Sequence, residues 1–147
     1  MLLTAFLTSA ALTLSPNLPP ERALHIAESI AAVTDSSDDA KLLLVTNFAE
    51  STFREDVETC RIAGDHGKAF SAYQLHPWLW GSLWGRQWVC ADPHLAARLA
   101  LFALGSGGST RTRIARFMGR SPTDKQVLWR ERMVRRLDGV GDRVCWR

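Results

Sequence analysis

One carboxylate in this 147-residue chain stands where a carboxyl group can do chemistry. Glu50 closes the most apolar stretch of the sequence, Ala40 to Ala49, and Phe53 follows it closely. A carboxyl there is partly desolvated and sits at the negative end of a helix dipole, and both effects favour its protonated form. A carboxylic acid that keeps its proton near neutral pH can act as a general acid. Glycosidic bond cleavage needs such a group, to protonate the leaving oxygen while an oxocarbenium-like centre is stabilised. An inverting hydrolase also needs a second carboxylate to activate water. Glu55, Asp56, Glu58 and Asp65 are the nearby candidates, and Asp65, in a Gly-flanked loop, is the first of them. The bland alternatives are a solvated glutamate fraying off a helix end and a turn-forming aspartate.

The surroundings of Glu50 form a longer pattern. Glu50-Ser51-Thr52-Phe53 is followed, 19 residues on from Glu50, by Ala69-Phe70-Ser71-Ala72-Tyr73-Gln74-Leu75, with Pro77 after it. Between them, Gly64-Asp65-His66-Gly67 reads as a tight loop. This pattern resembles the soluble lytic transglycosylase and goose-type lysozyme family of the lysozyme-like superfamily. There, Glu-Ser-x-Phe closes an apolar helix, and Gly-Ala-x-Gly-Leu-Met-Gln-(Ile/Leu) follows a variable loop. Ala69, Gln74 and Leu75 match directly, Tyr73 takes the Met position and Ala72 the Leu position. Lys68 and Ser71 replace the two glycines. The match covers residues 38 to 77, about a quarter of the chain.

The resemblance implies a mainly α, lysozyme-like domain over residues 19–147 that cuts the β-1,4 MurNAc–GlcNAc bond of peptidoglycan strands. It implies Glu50 as acid and then base. It places Gln74 on the floor of the sugar cleft with Tyr73 beside it. The small Ser71 lets a sugar approach the backbone, and Ser51 braces Glu50 or the loop. Ser51, Ser71, Tyr73 and Gln74 are thus the expected substrate-binding set, with no cofactor and no metal. The family often carries Tyr-Asn-x-Gly toward its C-terminal side, where this chain has Arg116-Phe117-Met118-Gly119 without the hydroxyl or the amide, so Phe117 is not counted in the site. Lytic transglycosylases need no second carboxylate, because the sugar's own 6-hydroxyl closes on the anomeric carbon, so hydrolase and transglycosylase both stay open. The altered positions 68, 71 and 117 favour the alternative, a non-catalytic glycan-binding or virion structural module.

Helices must position these residues. Pro20 starts one that runs from about 20 to 33. Ser36 to Asp39 offers caps and acids for the next, about 38 to 50, whose apolar residues all round mark it as the buried central helix. Residues 54–77 lose the helical period and read as an irregular loop or a short β-hairpin. Asp92-Pro93 restarts a helix through about Leu104, and a short one follows to about Met118. Ser121-Pro122-Thr123-Asp124 opens a last helix, about 122 to 137, with Gly139 as its exit.

Composition limits the classes. With 46% hydrophobic and 22% charged residues the chain is neither disordered nor collagen-like. Three Cys without a Cys-x-x-Cys exclude a disulfide-dense scaffold and a zinc finger, and His25, His66, His76 and His94 lack ligand spacing. If the chain is exported, Cys60 to Cys90 is the preferred disulfide; if cytosolic, the cysteines are small buried hydrophobes. Residues 1–14 carry no charge and are too short to span a bilayer comfortably; they read either as an export signal or as a structural helix, so residues 1–18 stand apart from the domain. The envelope of a cell or a phage particle is the expected location. Trp78, Trp80, Trp84 and Trp88 crowd into eleven residues; most read as core, with one or two lining a glycan cleft. Charge is uneven, with a net −5 over residues 1–97 and +8 over 98–147. The last helix, with Arg130, Arg132, Arg135 and Arg136, reads as a cationic face for an anionic wall polymer or a membrane surface. No nucleic-acid motif accompanies it, so no nucleic acid is expected.

Overall fold

The apolar stretch before Glu50 does become the central helix. In the computed structural model, which describes residues 2–76, 78 and 83–144 (side chains of 83–84 and 141–144 excepted), it spans Ser37–Ser51 and is called α3 here. Ser36 caps it, its hydroxyl accepting the Asp39 N–H at 3.3 Å, and Asp38 and Asp39 sit in its first turn. Leu42, Leu43, Leu44 and Val45 are all buried, because other helices surround α3.

Those neighbours are α1 (Leu2–Leu14), α2 (Pro20–Ala31), α6 (Pro93–Leu104) and α8 (Lys125–Val144). Between them run α4 (Glu55–Glu58), a single 3-10 turn (Asp65–Gly67), α5 (Leu83–Ala91) and α7 (Thr110–Met118). The protein is thus mainly helical, with no strand among the described residues. Two isolated antiparallel bridges, Gly64 to Ala69 and Phe70 to Leu75, are all that forms in the irregular segment, so it is a loop pinned by two bridged turns and not a hairpin.

Residues 2–14 form a helix of this fold: Leu7, Ala10 and Ala11 are buried completely, and α1 packs on α2, α3 and α8. No helix among the described residues is long and apolar enough to cross a membrane. Asp92 caps α6 as expected, its Oδ1 accepting the N–H groups of His94 and Leu95 at 2.9 and 3.1 Å. Asp124 caps α8 through the N–H of Gln126 at 2.7 Å. The expected exit at Gly139 is corrected: α8 runs through it to Val144, because Val140 is buried and packing carries the helix past a poor helix former.

Two ion pairs fix α8 on α3. Lys41 Nζ lies 2.7 Å from Asp138, and Arg130 Nη2 lies 2.7 Å from Glu50. The pairs step forward along α3 and backward along α8, so the helices run antiparallel. The C-terminal end of α3 is thereby set beside the N-terminal half of α8.

Candidate functional site

Glu50 owes its position to the way α3 ends. Thr52, with φ 50°, is the left-handed cap, and its N–H reaches Phe48 O at 2.8 Å. Ser51 is buried, donates to Asn47 O at 2.7 Å and accepts the Phe53 N–H at 3.1 Å. Phe53, also left-handed at φ 63°, turns back under the helix with its ring 5.2 Å from that of Phe48. The chain cannot fray there without exposing Phe53, a burial worth about 1.5–3 kcal/mol. Glu50 is therefore held at an ordered helix end, partly exposed, on the wall of a groove.

The groove has a volume of about 580 Å³. One wall carries Asp65, Ala69, Gln74, Leu75 and His76; the other is the end of α7, Arg116 to Gly119, with Arg120. Arg130 lies beside Glu50, and exposed Trp78 also lines the groove. Residues of α3, the 65–78 loop, the end of α7 and α8, far apart in sequence, thus meet on one cavity.

Gln74 is aimed by its backbone. It sits at φ 49° and its Nε2 donates to Ser71 O at 3.0 Å. Its Oε1 fills the space beside Gly64, 2.0 Å from where a Cβ would stand, so any side chain at 64 would displace the Gln74 amide. Gly64 also closes the loop by donating its N–H to Ala69 O at 3.0 Å. The loop is tied to α5 by a disulfide between Cys60 and Cys90, Cα atoms 5.5 Å apart, and Cys60 Sγ accepts the Ser71 N–H at 3.3 Å.

The α7 wall is set by arginines. Arg113 and Arg116 donate to Gly105 O and Leu104 O, each at 2.8 Å, which satisfies the free carbonyls at the end of α6. Arg113 also pairs with Asp39 at 2.7 Å, so α7 is anchored to the start of α3.

Of the expected set, Glu50 and Gln74 come together in the groove. Ser51, Ser71 and Tyr73 do not: all three are buried, and none of them lines the groove. Ser51 braces the helix end. Ser71, at φ 69°, occupies a conformation that favours glycine. Tyr73 alternates with Gln74 along the chain and points into the core, where burial pushes its phenol well above the ordinary range, with Asn47 opposing and the Glu58 charge adding to the rise.

The second-carboxylate candidates separate. Asp65 lines the groove, with His76 Nδ1 3.6 Å from its Oδ2. Glu58 lies on a different face, held by Arg22 at 2.8 and 3.1 Å and by His25 at 2.8 Å. Burial works to raise the Glu58 carboxyl, but Arg22 and His25 outweigh it and hold it below the usual carboxylate range. Arg54 engages Asp56 at the surface.

Sequence reasoning missed Arg130. It was counted with the cationic face of the last helix, yet it is 7% exposed and turned inward to Glu50. Glu50 therefore has a cation as well as apolar neighbours. The core reading fails for Trp78 and Trp88, which are 71% and 62% exposed; Trp80 and the Trp84 side chain lie outside the described residues, as does Cys145. Phe117 does line the groove, although the missing hydroxyl and amide had argued against it. The signal that could have found this wall was the place of the 116–119 segment in the chain order. Among the described residues, no three His, Cys, Asp or Glu side chains are grouped to hold a metal.

Fold and groove define a mainly helical domain with a carboxylate–guanidinium pair in an open groove. No family model, curated protein or solved structure matches the chain.

Proposed function

We propose that this protein is a peptidoglycan-cleaving glycosidase of the lysozyme or lytic transglycosylase type, cutting the β-1,4 MurNAc–GlcNAc bond with Glu50 as general acid and then base. The observation that carries the reading is the convergence on one groove of Glu50, Gln74 and the Arg116–Gly119 segment. The resemblance assigns Glu50 and Gln74 to a single sugar cleft, and no local periodicity requires them to meet; the Arg116–Gly119 segment, which stands where the family has Tyr-Asn-x-Gly, lines the same groove. The left-handed backbone at Ser71, where the family has glycine, supports the same alignment.

In this reading a glycan strand lies along the groove between the loop and α7. Trp78 offers an indole face for stacking on sugar C–H surfaces. Gln74 offers an amide oxygen and two N–H donors to acetamido and hydroxyl groups. Glu50 protonates the leaving oxygen as the bond breaks. Either the sugar's 6-hydroxyl or a water then closes on the anomeric carbon, with Asp65 the base in the second case. A Cys60–Cys90 disulfide suits an oxidising compartment, and hence an exported or phage-delivered domain.

One observation favours a second reading, a module that binds wall glycan without cutting it. Arg130 Nη2 lies 2.7 Å from Glu50 Oε1, so that oxygen is already engaged as an acceptor within the fold.

Digestion of purified peptidoglycan by the wild type and by Glu50→Gln, with products read by mass spectrometry, separates these readings. Anhydro-muramyl ends made only by the wild type mark a lytic transglycosylase. Reducing ends, about 18 mass units heavier by the added water, mark a hydrolase. Binding without any product from folded wild type supports the module, and neither binding nor product refutes both.

A further inference from the structure

Arg130 is a guanidinium whose hydrogen-bonding capacity the fold leaves largely unused. Its side chain is 9% exposed, and Nη2 reaches Glu50 Oε1 at 2.7 Å. Nε and Nη1 are buried and have no hydrogen-bond partner among the described residues. A buried guanidinium with two of its three nitrogens unpartnered is costly, since it loses water at those donors without replacement. Buried arginines normally end in a forked contact with a carboxylate or phosphate. Here Glu50 supplies a single contact.

The surroundings point the same way. Arg116, which donates to Leu104 O, and Arg120, which pairs with Asp124 at 3.1 Å, stand on the same groove with Arg130, so its α7–α8 side carries three guanidinium groups. The acidic groups lining it are Glu50 and Asp65, and His76 lies beside the latter. An anion entering along α7 meets a groove lined by Arg116, Arg120 and Arg130.

We propose that Arg130 is the anion receptor of the groove, and that a carboxylate on the bound glycan takes it over from Glu50. The exchange breaks one charge-assisted hydrogen bond and forms others, with no covalent change. It selects saccharides that bear carboxyl groups over neutral N-acetylated chains. It also frees Glu50 from its contact with Arg130 when the correct ligand is in place. The inference rests on the glycan reading of the groove and adds to it the acidic class of ligand.

Two sources of carboxylate share this chemistry, the lactyl ether on the sugar and an attached peptide. Calorimetric titration with three probes distinguishes them: chitobiose, the GlcNAc–MurNAc disaccharide with a free lactyl group, and the same disaccharide carrying a tetrapeptide. Wild type is expected to bind at least one acidic probe about tenfold more tightly than chitobiose. Glu50→Gln is expected to bind that acidic probe more tightly still relative to chitobiose, because the competing carboxylate is gone. Arg130→Met is expected to bind acidic and neutral probes alike. Equal affinities in wild type, or a preference that survives in Arg130→Met, overturns the inference while leaving the glycan reading intact. If Arg130→Met does not fold, the Glu50→Gln comparison decides, and unchanged or weaker binding of the acidic probe relative to chitobiose overturns it. If neither these probes nor intact glycan strands bind or are cut, the glycan reading itself falls, and this inference with it.

Discussion

Gly64→Ala isolates the positioning of Gln74 from the stability of the fold. The backbone at 64 is extended, with φ −88° and ψ 178°, which alanine adopts without strain. The obstacle is Gln74 Oε1, which would lie 2.0 Å from the new Cβ, where ordinary contact begins near 3.4 Å. Gln74 must withdraw by more than an ångström. It can do so because the clashing atom ends a flexible side chain, but its bond to Ser71 O is then lost or bent. That loss costs about 0.5–1.5 kcal/mol. Stiffening the unfolded chain by replacing glycine returns about 0.4–1 kcal/mol. The net change in stability is therefore within about 1 kcal/mol. Misplacement of a ligand-positioning group by this distance costs about 100-fold in rate where the group orients substrate. The assay pairs urea unfolding with peptidoglycan digestion, and follows the Gln74 side-chain amide by NMR. A folded variant whose Gln74 amide signal shifts and whose digestion falls at least tenfold supports the reasoning. Unchanged digestion despite a displaced Gln74 would refute a role for that amide. A stability loss above about 3 kcal/mol would show that the clash is carried by the backbone and not by Gln74.

The disulfide closes a loop of 30 residues in sequence separation, which removes about 12 cal/mol/K of unfolded-chain entropy. Replacing both Cys60 and Cys90 by Ser should thus cost about 3.6 kcal/mol at 25 °C and lower the thermal midpoint by about 10 °C, measured by calorimetry. Glu58→Gln leaves half-buried Arg22 without its carboxylate and should cost about 1.5–3 kcal/mol in urea unfolding at pH 7. Because the folded-state Glu58 carboxyl is depressed, its stabilisation is complete above the ordinary Glu value near about 4.3 and is lost as pH falls below it. Acid titration of wild type against Glu58→Gln should show the difference shrinking in that direction. On α8, Arg135 pairs with Glu131, whereas Arg132 and Arg136 are exposed without a partner among the described residues. Sedimentation with anionic lipid vesicles should weaken in Arg132→Gln/Arg136→Gln, with a flatter salt dependence, and barely change in Arg135→Gln.

The local parts of this protein are legible in its sequence because the forces that make them are local. Caps at Ser36 and Asp92 bond N–H groups two or three residues away, and they start helices where the residue types say they should. The stretch before Glu50 is apolar on every side and therefore has to be surrounded. The short motif from Ala69 to Leu75 places Gln74 at the site, because glycine at 64 and a left-handed backbone at 74 act within one loop.

Other properties depend on contacts between distant segments. Alternation along 71–75 does not say which of Tyr73 and Gln74 faces the groove; in the fold the tyrosine is the one buried in the core. Gly139 weakens a helix by its own propensity, yet burial of Val140 carries α8 past it. Arg130 belongs to an arginine-rich helix on which Arg132, Arg135 and Arg136 face solvent. Only the antiparallel seat of α8 on α3 turned that one guanidinium to Glu50. The sequence by itself determined a helical domain with a carboxyl at the end of its central helix. The tertiary structure decided what stands opposite that carboxyl, since an ion pair across 80 positions of chain is set by how two helices pack and by no periodicity within either.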